Sequence, residues 1–134
     1  MIVLDASALL ELLLGTQQGR WVSTRIADPE LALHAPHLVD VEVLQALRRY
    51  VRERQIDQES AAAVLDDLRS LDLERHSHEP LLYRVWALRE NLTAYDAVYV
   101  ALAEALDTVL LTCDNKLATV PGMIGRVELV PRGR

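Results

Sequence analysis

The sequence predicts an α/β fold, a three-layer α/β/α sandwich around a parallel sheet of four or five short strands. Short apolar runs alternate with longer segments whose apolar residues recur at helical spacing. The segments between most strand candidates are long enough for the helical crossover of about a dozen residues that a parallel return needs. No repeat, low-complexity tract or Pro/Gly-rich linker divides the 134 residues. We therefore expect a single domain over residues 1–134.

The first half of the chain contains three strand candidates and four helix candidates. A small polar residue of the segment after the apolar run 2–4 can cap a helix that stops near Gly15. Pro36 ends the second strand, and Asp57 can cap a later helix in which Leu65 is expected to face inward. The expected elements are strands 2–4, 31–35 and 73–76 and helices 8–14, 20–27, 37–54 and 57–71.

The second half continues the same alternation. Pro80 suits the first turn of a helix, and Thr93 or Ala94 opens the next one, which is almost wholly apolar. The expected elements are helices 80–91 and 93–106, strand 109–111, a helical turn over 114–118 and strand 127–130.

Composition limits the class of protein. Half of the residues (51%) are apolar and a quarter (25%) are charged, which is typical of a globular chain. The sequence has no apolar run of 18 residues, so a membrane span is not expected, and no basic, cleavable leader follows Met1. These features predict a cytoplasmic protein. The one cysteine, Cys113, lies among leucines and is interpreted as a small buried side chain.

The net charge of −6 argues against a protein that binds nucleic acid through a broad basic face. An acidic excess fits a pocket of carboxylates that holds a divalent cation, which in turn receives a phosphate.

Four acidic residues are predicted to meet at one edge of the sheet. Asp5 ends the first strand, Glu42 lies early in the helix after the second, Asp96 lies in the first turn of an apolar helix, and Asp114 follows strand 109–111. Ligands of open parallel sheets bind outside the carboxyl ends of the strands. The four acids are therefore the candidate site.

Each acid also has a structural interpretation. Asp5, Asp96 and Asp114 could simply cap helices, and acids near Glu42 could complement a helix dipole. Asp40 lies two residues before Glu42, and since residues two apart point to different sides of a helix, only one of them enters the pocket easily. We favour Glu42, whose side of the helix also carries the small Ala46.

The expected ligands are oxygen atoms only, which favours Mg²⁺ or Mn²⁺ over zinc. His34 and His37 could approach each other and His76 and His78 lie two apart, but neither pair has partners at zinc-ligand spacing, so all four are interpreted as ordinary. Phosphate-binding glycine loops, nucleophile elbows and Cys–His pairs are not found.

With these residues in view, the chain resembles a PIN domain, and more narrowly a VapC-type toxin ribonuclease of bacterial toxin–antitoxin pairs. The resemblance spans the whole chain. It rests on four segments in order: Ile2-Val3-Leu4-Asp5-Ala6-Ser7-Ala8, Ala35-Pro36-His37-Leu38 leading to Glu42, Leu92-Thr93-Ala94-Tyr95-Asp96-Ala97 with Tyr99-Val100-Ala101-Leu102-Ala103, and Leu110-Leu111-Thr112-Cys113-Asp114.

The resemblance implies a parallel α/β/α sandwich and a Mg²⁺- or Mn²⁺-dependent endoribonuclease. Asp5 and Asp96 match the principal metal ligands, and Glu42 and Asp114 match the other catalytic acids. Ser7 and Thr112 match supporting hydroxyl residues. Gln45 departs from the asparagine that the family often has there, which puts a supporting hydrogen bond in doubt.

The resemblance also implies partners: an RNA substrate, a VapB-type antitoxin that would occlude the acids, and a homodimer formed through the helices. Candidates for RNA contact are basic residues that could equally be solvated surface; they are Arg48, Arg49, Arg52 and Lys116.

Three alternatives stay open at this point. The chain could be a nuclease that acts on DNA or in RNA processing outside a toxin pair. It could be an Asp-phosphorylated receiver-like signalling domain, since receivers also gather aspartates and Mg²⁺ at strand ends. It could also be a catalytically silent binding module.

Overall fold

The predicted fold class is confirmed by a computed structural model that describes residues 1–122 and 126–133. In these ranges five strands alternate with seven α-helices and one short 3-10 turn, Glu79–Leu81. The strands are β1 (Ile2–Leu4), β2 (Leu33–Pro36), β3 (Leu73–His76), β4 (Leu110–Thr112) and β5 (Val127–Leu129). The helices are α1 (Ala6–Leu14), α2 (Gln17–Arg25), α3 (Leu38–Arg52), α4 (Gln58–Ser70), α5 (Leu82–Ala87), α6 (Ala94–Ala105) and α7 (Asn115–Thr119).

All strand pairs of the sheet are parallel, in the order β3-β2-β1-β4-β5. The register pairs Val3 with both His34 on β2 and Leu110 on β4. The chain therefore builds outward from β1 in two directions, first through β2 and β3 and then through β4 and β5. The strand order reverses between β1 and β4, and such a switch point is where open α/β sheets bind ligands.

Helices cover both faces of the sheet. On one face α1 packs against α2, α3 and α4, and on the other α6 packs against β1, β2, β4 and α5. All three residues of β1 have no exposed surface, and α6 is buried from Ala97 to Ala103. This explains why both segments are nearly continuous apolar runs, as expected for elements that contact neighbours on all sides.

The helix caps lie at residues that the sequence predicts. Gly15 ends α1 with a φ of 67°, the left-handed conformation that glycine adopts without steric strain. Asp57 caps α4, and the Thr93 hydroxyl accepts a hydrogen bond from the Asp96 amide at the start of α6. These predicted helix ends are therefore confirmed.

Several element bounds differ from the predicted ones. α1 begins two residues earlier because Asp5 itself is the N-cap, and α2 begins at Gln17 because Thr16 caps it. The helix expected over 80–91 is a 3-10 turn followed by six residues of α5. The inward position predicted for Leu65 is wrong: Leu65 is 37% exposed, and its neighbour Val64 is buried instead.

Among the described residues, we find no helix with both the length and the apolar character needed to cross a bilayer.

Candidate active site

The four predicted acids are carried by elements that end or begin at the carboxyl edge of the sheet. Asp5 follows β1 and is the N-cap of α1, and Asp114 follows β4 and is the N-cap of α7. Glu42 is the fifth residue of α3, and Asp96 is the third residue of α6. Two of the acids thus flank the switch point between β1 and β4, and the other two reach it from helices.

Asp5 is the most buried of the four, with 6% of its surface exposed. Its Oδ1 accepts hydrogen bonds from the Ser7 hydroxyl (2.7 Å) and the Ala8 amide (3.0 Å), and its Oδ2 accepts one from the Thr112 hydroxyl (2.5 Å). Burial raises the pKa of Asp5 to about 6, although these hydrogen bonds oppose the rise and the nearby Asp114 adds to it.

Two hydroxyl groups connect the ends of β1 and β4. Thr112 Oγ1 accepts a hydrogen bond from the Asp114 amide (2.9 Å) while donating to Asp5. Ser7 Oγ accepts one from the Cys113 amide (2.9 Å) and lies 3.3 Å from Thr112 Oγ1. The segment that carries Asp114 is therefore fixed relative to Asp5. Ser7 and Thr112 are the residues predicted to support the site.

Glu42 accepts a hydrogen bond from the phenol of Tyr99, a buried residue of α6. Burial raises the pKa of Glu42, the Tyr99 hydrogen bond opposes that rise, and the Asp96 charge adds to it. Burial and the Glu42 hydrogen bond raise the pKa of Tyr99, which therefore stays protonated and donates.

The structure shows which acid of α3, Glu42 or Asp40, lies with the other predicted acids. Asp40 accepts two hydrogen bonds from Arg75 of β3, one from Nε (2.7 Å) and one from Nη2 (2.9 Å). This forked ion pair holds Asp40 on the α4 side of the sheet, because Arg75 also contacts the Leu68 carbonyl. Glu42, by contrast with Asp40, points toward Tyr99 and Asp96.

Asp96 is only partly buried, although the helix around it is apolar. Thr93 caps α6, so Asp96 is not the N-cap. The pKa of Asp96 is raised, mainly by burial and then by the charge of Asp114, while the nearby Lys116 ammonium opposes the rise. Asp96 therefore lies within charge range of Glu42, Asp114 and Lys116.

Asp114 does cap a helix, since its Oδ1 accepts a hydrogen bond from the Lys116 amide (2.9 Å). The capping interpretation is thus correct for Asp5 and Asp114, and both residues also lie in the acidic cluster.

Mutual charge effects connect the four carboxylates: Asp5 with Asp114, Asp114 with Asp96, and Asp96 with Glu42. Their oxygens are not all in direct contact. Among described residues, the group of three ligand side chains whose atoms lie within 4.8 Å of one another is His34, Glu74 and His76. A divalent cation would offset the repulsion among these like charges, and carboxylate oxygens are donors of the kind that a hard cation takes.

The basic residues predicted to contact RNA fall in two places. Lys116 is exposed at the start of α7, close enough to Asp96 to affect its pKa. Arg48, Arg49 and Arg52 are exposed on the second half of α3, and the Arg49 guanidinium lies 5.3 Å from the Tyr50 ring centroid. Gln45, the departure from the family pattern, is exposed as well.

Sequence reasoning missed Tyr99 as a member of the site. Tyr99 follows Asp96 by three residues, and residues at that spacing share a face of a helix. A phenol hydroxyl three residues after Asp96, inside an otherwise apolar helix, is a signal from which a contact between Tyr99 and the site could have been predicted.

The structure also places Cys113 and the four histidines. Cys113 is half-buried, and burial raises the pKa of its thiol to about 11. The thiol therefore stays protonated at neutral pH, as expected of a cysteine that is not a nucleophile.

The four histidines pair between the β2 and β3 segments, His34 with His76 and His37 with His78, rather than within one segment.

The chain is similar to known proteins over nearly its whole length. The model of the PIN domain family matches residues 2–123. Ribonuclease VapC1 of Mycobacterium tuberculosis is 44% identical over 129 residues, 96% of this chain and 96% of that protein. Ribonuclease VapC12 of the same organism is 41% identical over 130 residues, 97% of this chain and 99% of that protein.

Solved structures show the same fold. One from Pyrobaculum aerophilum has a TM-score of 0.66 and 31% identity, covering 90% of this chain and 80% of that one. A chain of a toxin–antitoxin complex from Klebsiella pneumoniae has a TM-score of 0.66 with 18% identity and 98% coverage of both chains, and it supports the fold alone. The resemblance found in the sequence is confirmed, and the chain belongs to the PIN-domain family and, within it, to the VapC ribonucleases.

Proposed function

We propose that this protein is a Mg²⁺- or Mn²⁺-dependent endoribonuclease and the toxin of a toxin–antitoxin pair. The observation that carries the proposal is the placement of Asp5. A carboxylate that is 6% exposed, with a pKa of about 6, lies at the sheet switch point within charge range of Asp114. The helix cap and the hydrogen bonds of Asp5 offset only part of the cost of burying this carboxylate, since its pKa is still raised, and a bound cation would offset the rest.

The residues fit a hard divalent cation. Asp5, Asp96, Asp114 and Glu42 would hold it through oxygen atoms. Burial is the main cause of the raised pKa values of Asp5, Glu42 and Asp96, and a neighbouring carboxylate adds to each rise, so a nearby cation would stabilise their ionised forms. When bound, such an ion would neutralise charge on the scissile phosphate and lower the pKa of a water that it coordinates.

The protein's own contribution is orientation and charge. Three hydrogen bonds hold both Asp5 oxygens, and Tyr99 holds Glu42, so these acids keep their positions. The proposed reaction is hydrolysis: water oxygen joins phosphorus, the 3′ oxygen leaves and is protonated, and the ends are a 5′-phosphate and a 3′-hydroxyl. Lys116 is a candidate to contact the RNA backbone near Asp96, and Arg48, Arg49 and Arg52 are more distant candidates.

The receiver-like alternative is disfavoured by the sheet. Receivers have the flavodoxin-like strand order 2-1-3-4-5, whereas this sheet has 3-2-1-4-5. A nuclease of the same family outside a toxin pair stays the second candidate.

Partners are part of the proposal. The name of the relatives, ribonuclease VapC, supports an antitoxin as partner, and we propose that it covers the acidic edge. We also propose a homodimer through helices, supported by a patch of large exposed apolar residues on α5 and the start of α6: Leu82, Tyr83, Trp86 and Tyr95. The single-domain organisation and the cytoplasmic location stay predictions.

The function is tested with purified protein and RNA in Mg²⁺, in Mn²⁺ and in EDTA. We expect cleavage with either ion and none in EDTA, with 5′-phosphate ends. Asp96→Asn should lose at least about 100-fold of the rate, because a carboxylate ligand becomes a neutral amide. Its fold should persist, since Asp96 is only partly buried.

The matched control is Asp40→Asn, which changes an acid two residues from Glu42 that pairs with Arg75 outside the cluster. Asp40→Asn should cleave like the wild type. Full activity in Asp96→Asn, or undiminished cleavage in EDTA, would contradict the assignment.

The toxin role is tested by inducible expression in cells with mapping of new RNA 5′ ends. Wild type should arrest growth and create new ends, and Asp96→Asn should do neither. Cleavage in vitro without growth arrest would favour the nuclease outside a toxin pair.

A further inference from the structure

The face of the sheet under α6 carries a second group of ligand side chains, separate from the four acids. His34 Nδ1 lies 2.8 Å from His76 Nε2 and 3.4 Å from Glu74 Oε2. His34 and Glu74 are register partners on β2 and β3, and His76 is two residues further along β3, so all three point to the same face. Their ligand atoms all lie within 4.8 Å of one another.

His34 is a buried imidazole, 5% exposed, whose Nδ1 faces two other ligand side chains. Its Nε2 has no hydrogen-bond partner among the described residues and would carry the ring hydrogen when Nδ1 binds a metal. The contact between His34 Nδ1 and His76 Nε2 can hold only one hydrogen if both rings are neutral. Two nitrogens that face each other so closely are typical of a pair that shares a proton or a metal ion.

We propose that His34, Glu74 and His76 form a binding site for a transition-metal ion of the zinc type, which ties the edge strand β3 to β2. Two imidazoles and one carboxylate are a donor set that zinc uses, and a water can fill the fourth position. The site differs in chemistry from the acidic cluster, where every donor is oxygen.

The distances are close to those that a tetrahedral ion requires. Zinc–nitrogen bonds of about 2.0–2.1 Å place two ligand atoms about 3.4 Å apart. The distance from His34 Nδ1 to Glu74 Oε2 already has that value. The two nitrogens must separate by about half an ångström, which the partly exposed His76 allows, and the Glu74 side chain is 66% exposed and free to adjust.

Protonation also favours a metal over a proton at His34. Burial lowers the pKa of His34, and the His76 charge lowers it further, although Glu74 opposes the shift. The neutral imidazole, which offers a lone pair to a metal, is therefore favoured at His34.

The test is titration of metal-stripped, tag-free full-length protein with Co²⁺, followed by displacement with Zn²⁺. A tetrahedral site with nitrogen ligands gives strong visible absorption, whereas Co²⁺ on oxygen ligands in an octahedral site absorbs weakly. We expect the strong bands in wild type, in Asp96→Asn and in His37→Gln, an exposed histidine outside the group. Zn²⁺ should abolish them and raise the Tm.

His76→Gln and Glu74→Gln change partly exposed or exposed residues, so both should fold. His76→Gln should bind Co²⁺ at least tenfold more weakly and lose the rise in Tm, and Glu74→Gln should alter the spectrum. The proposal is overturned if wild type lacks the strong bands, if His76→Gln keeps them, or if Asp96→Asn loses them. Because the acidic cluster is not involved, these outcomes are independent of nuclease activity.

Discussion

Asp5 combines two roles that usually conflict, since it is both a helix cap and a buried acid. Its hydrogen bonds favour the ionised form, but burial outweighs them and raises its pKa from 3.8 to about 6. The folded protein therefore binds a proton at Asp5 more tightly than the unfolded chain does. Without a metal, stability from this group is present in acid and declines as pH rises from about 4 to 6.

We therefore expect Asp5→Asn to stabilise the metal-free protein above pH 6. Asparagine keeps the shape and can accept from Ser7 and Ala8 while donating to Thr112, but it carries no charge. A shift of two pKa units corresponds to about 3 kcal/mol, and the advantage of the variant should disappear near pH 4. Urea unfolding in EDTA at pH 4, 6 and 8 measures it.

A difference in stability that does not change with pH would contradict that interpretation of Asp5. Thr112→Ser, which retains the hydroxyl donor, is the control, because it should leave the pH dependence in place.

At the scale of single residues, the sequence located the acids but not all of their contacts. The positions of Asp5 and Asp114 follow from strand ends, which short apolar runs reveal. The contact between Glu42 and Tyr99 joins residues 57 apart and depends on how α3 and α6 pack, which local patterns do not specify. For the same reason the sequence did not reveal that Arg75 holds Asp40.

At the scale of elements, α1 and α2 pack unusually closely at Gly19. A Cβ at this position would lie 1.9 Å from the carbonyl oxygen of Glu11 in α1. The residue is therefore glycine because the backbone of the neighbouring helix occupies the space of a side chain.

Gly19→Ala should consequently destabilise the protein by about 1–3 kcal/mol or more, although alanine favours helices by about 1 kcal/mol over glycine. The measurement is the change in denaturant midpoint. Ser23→Ala, at an exposed site of the same helix, is the control and should be near neutral. An equally stable Gly19→Ala would show that the two helices can separate freely.

The bounds of helices and strands were predicted most accurately where capping residues or short apolar runs mark their ends. Strand 73–76 has the predicted bounds, and the capped helices after Asp57 and Thr93 begin where expected. The helix over 80–91 was predicted too long from the signal of Pro80, since it is a 3-10 turn followed by six residues of α5, on which Tyr83 and Trp86 are exposed. Exposure of large apolar side chains depends on partners and tertiary packing, which periodicity does not reveal.

At the scale of the whole molecule, the exposed patch of Leu82, Tyr83, Trp86 and Tyr95 bears on assembly. We expect Trp86→Glu combined with Tyr83→Glu to convert the proposed dimer into a monomer, because charges would have to be buried in an apolar interface. Light scattering coupled to size exclusion measures the mass.

Leu65→Glu, a comparable change on α4 at the opposite face of the sheet, should leave the dimer intact. A wild-type monomer at all accessible concentrations, or a dimer that survives both substitutions, would refute assembly through this patch.

The central position of β1 has a consequence for which ions the proposed metal site would accept. Asp5 is attached to a strand with neighbours on both sides and is held by three hydrogen bonds. The backbone of Asp114 is tied to the same point, because Thr112 Oγ1 and Ser7 Oγ accept hydrogen bonds from the Asp114 and Cys113 amides. An ion bound there would therefore meet two carboxylates with fixed backbone positions, and we expect the smaller Mg²⁺ and the larger Mn²⁺ to support the proposed cleavage to different degrees.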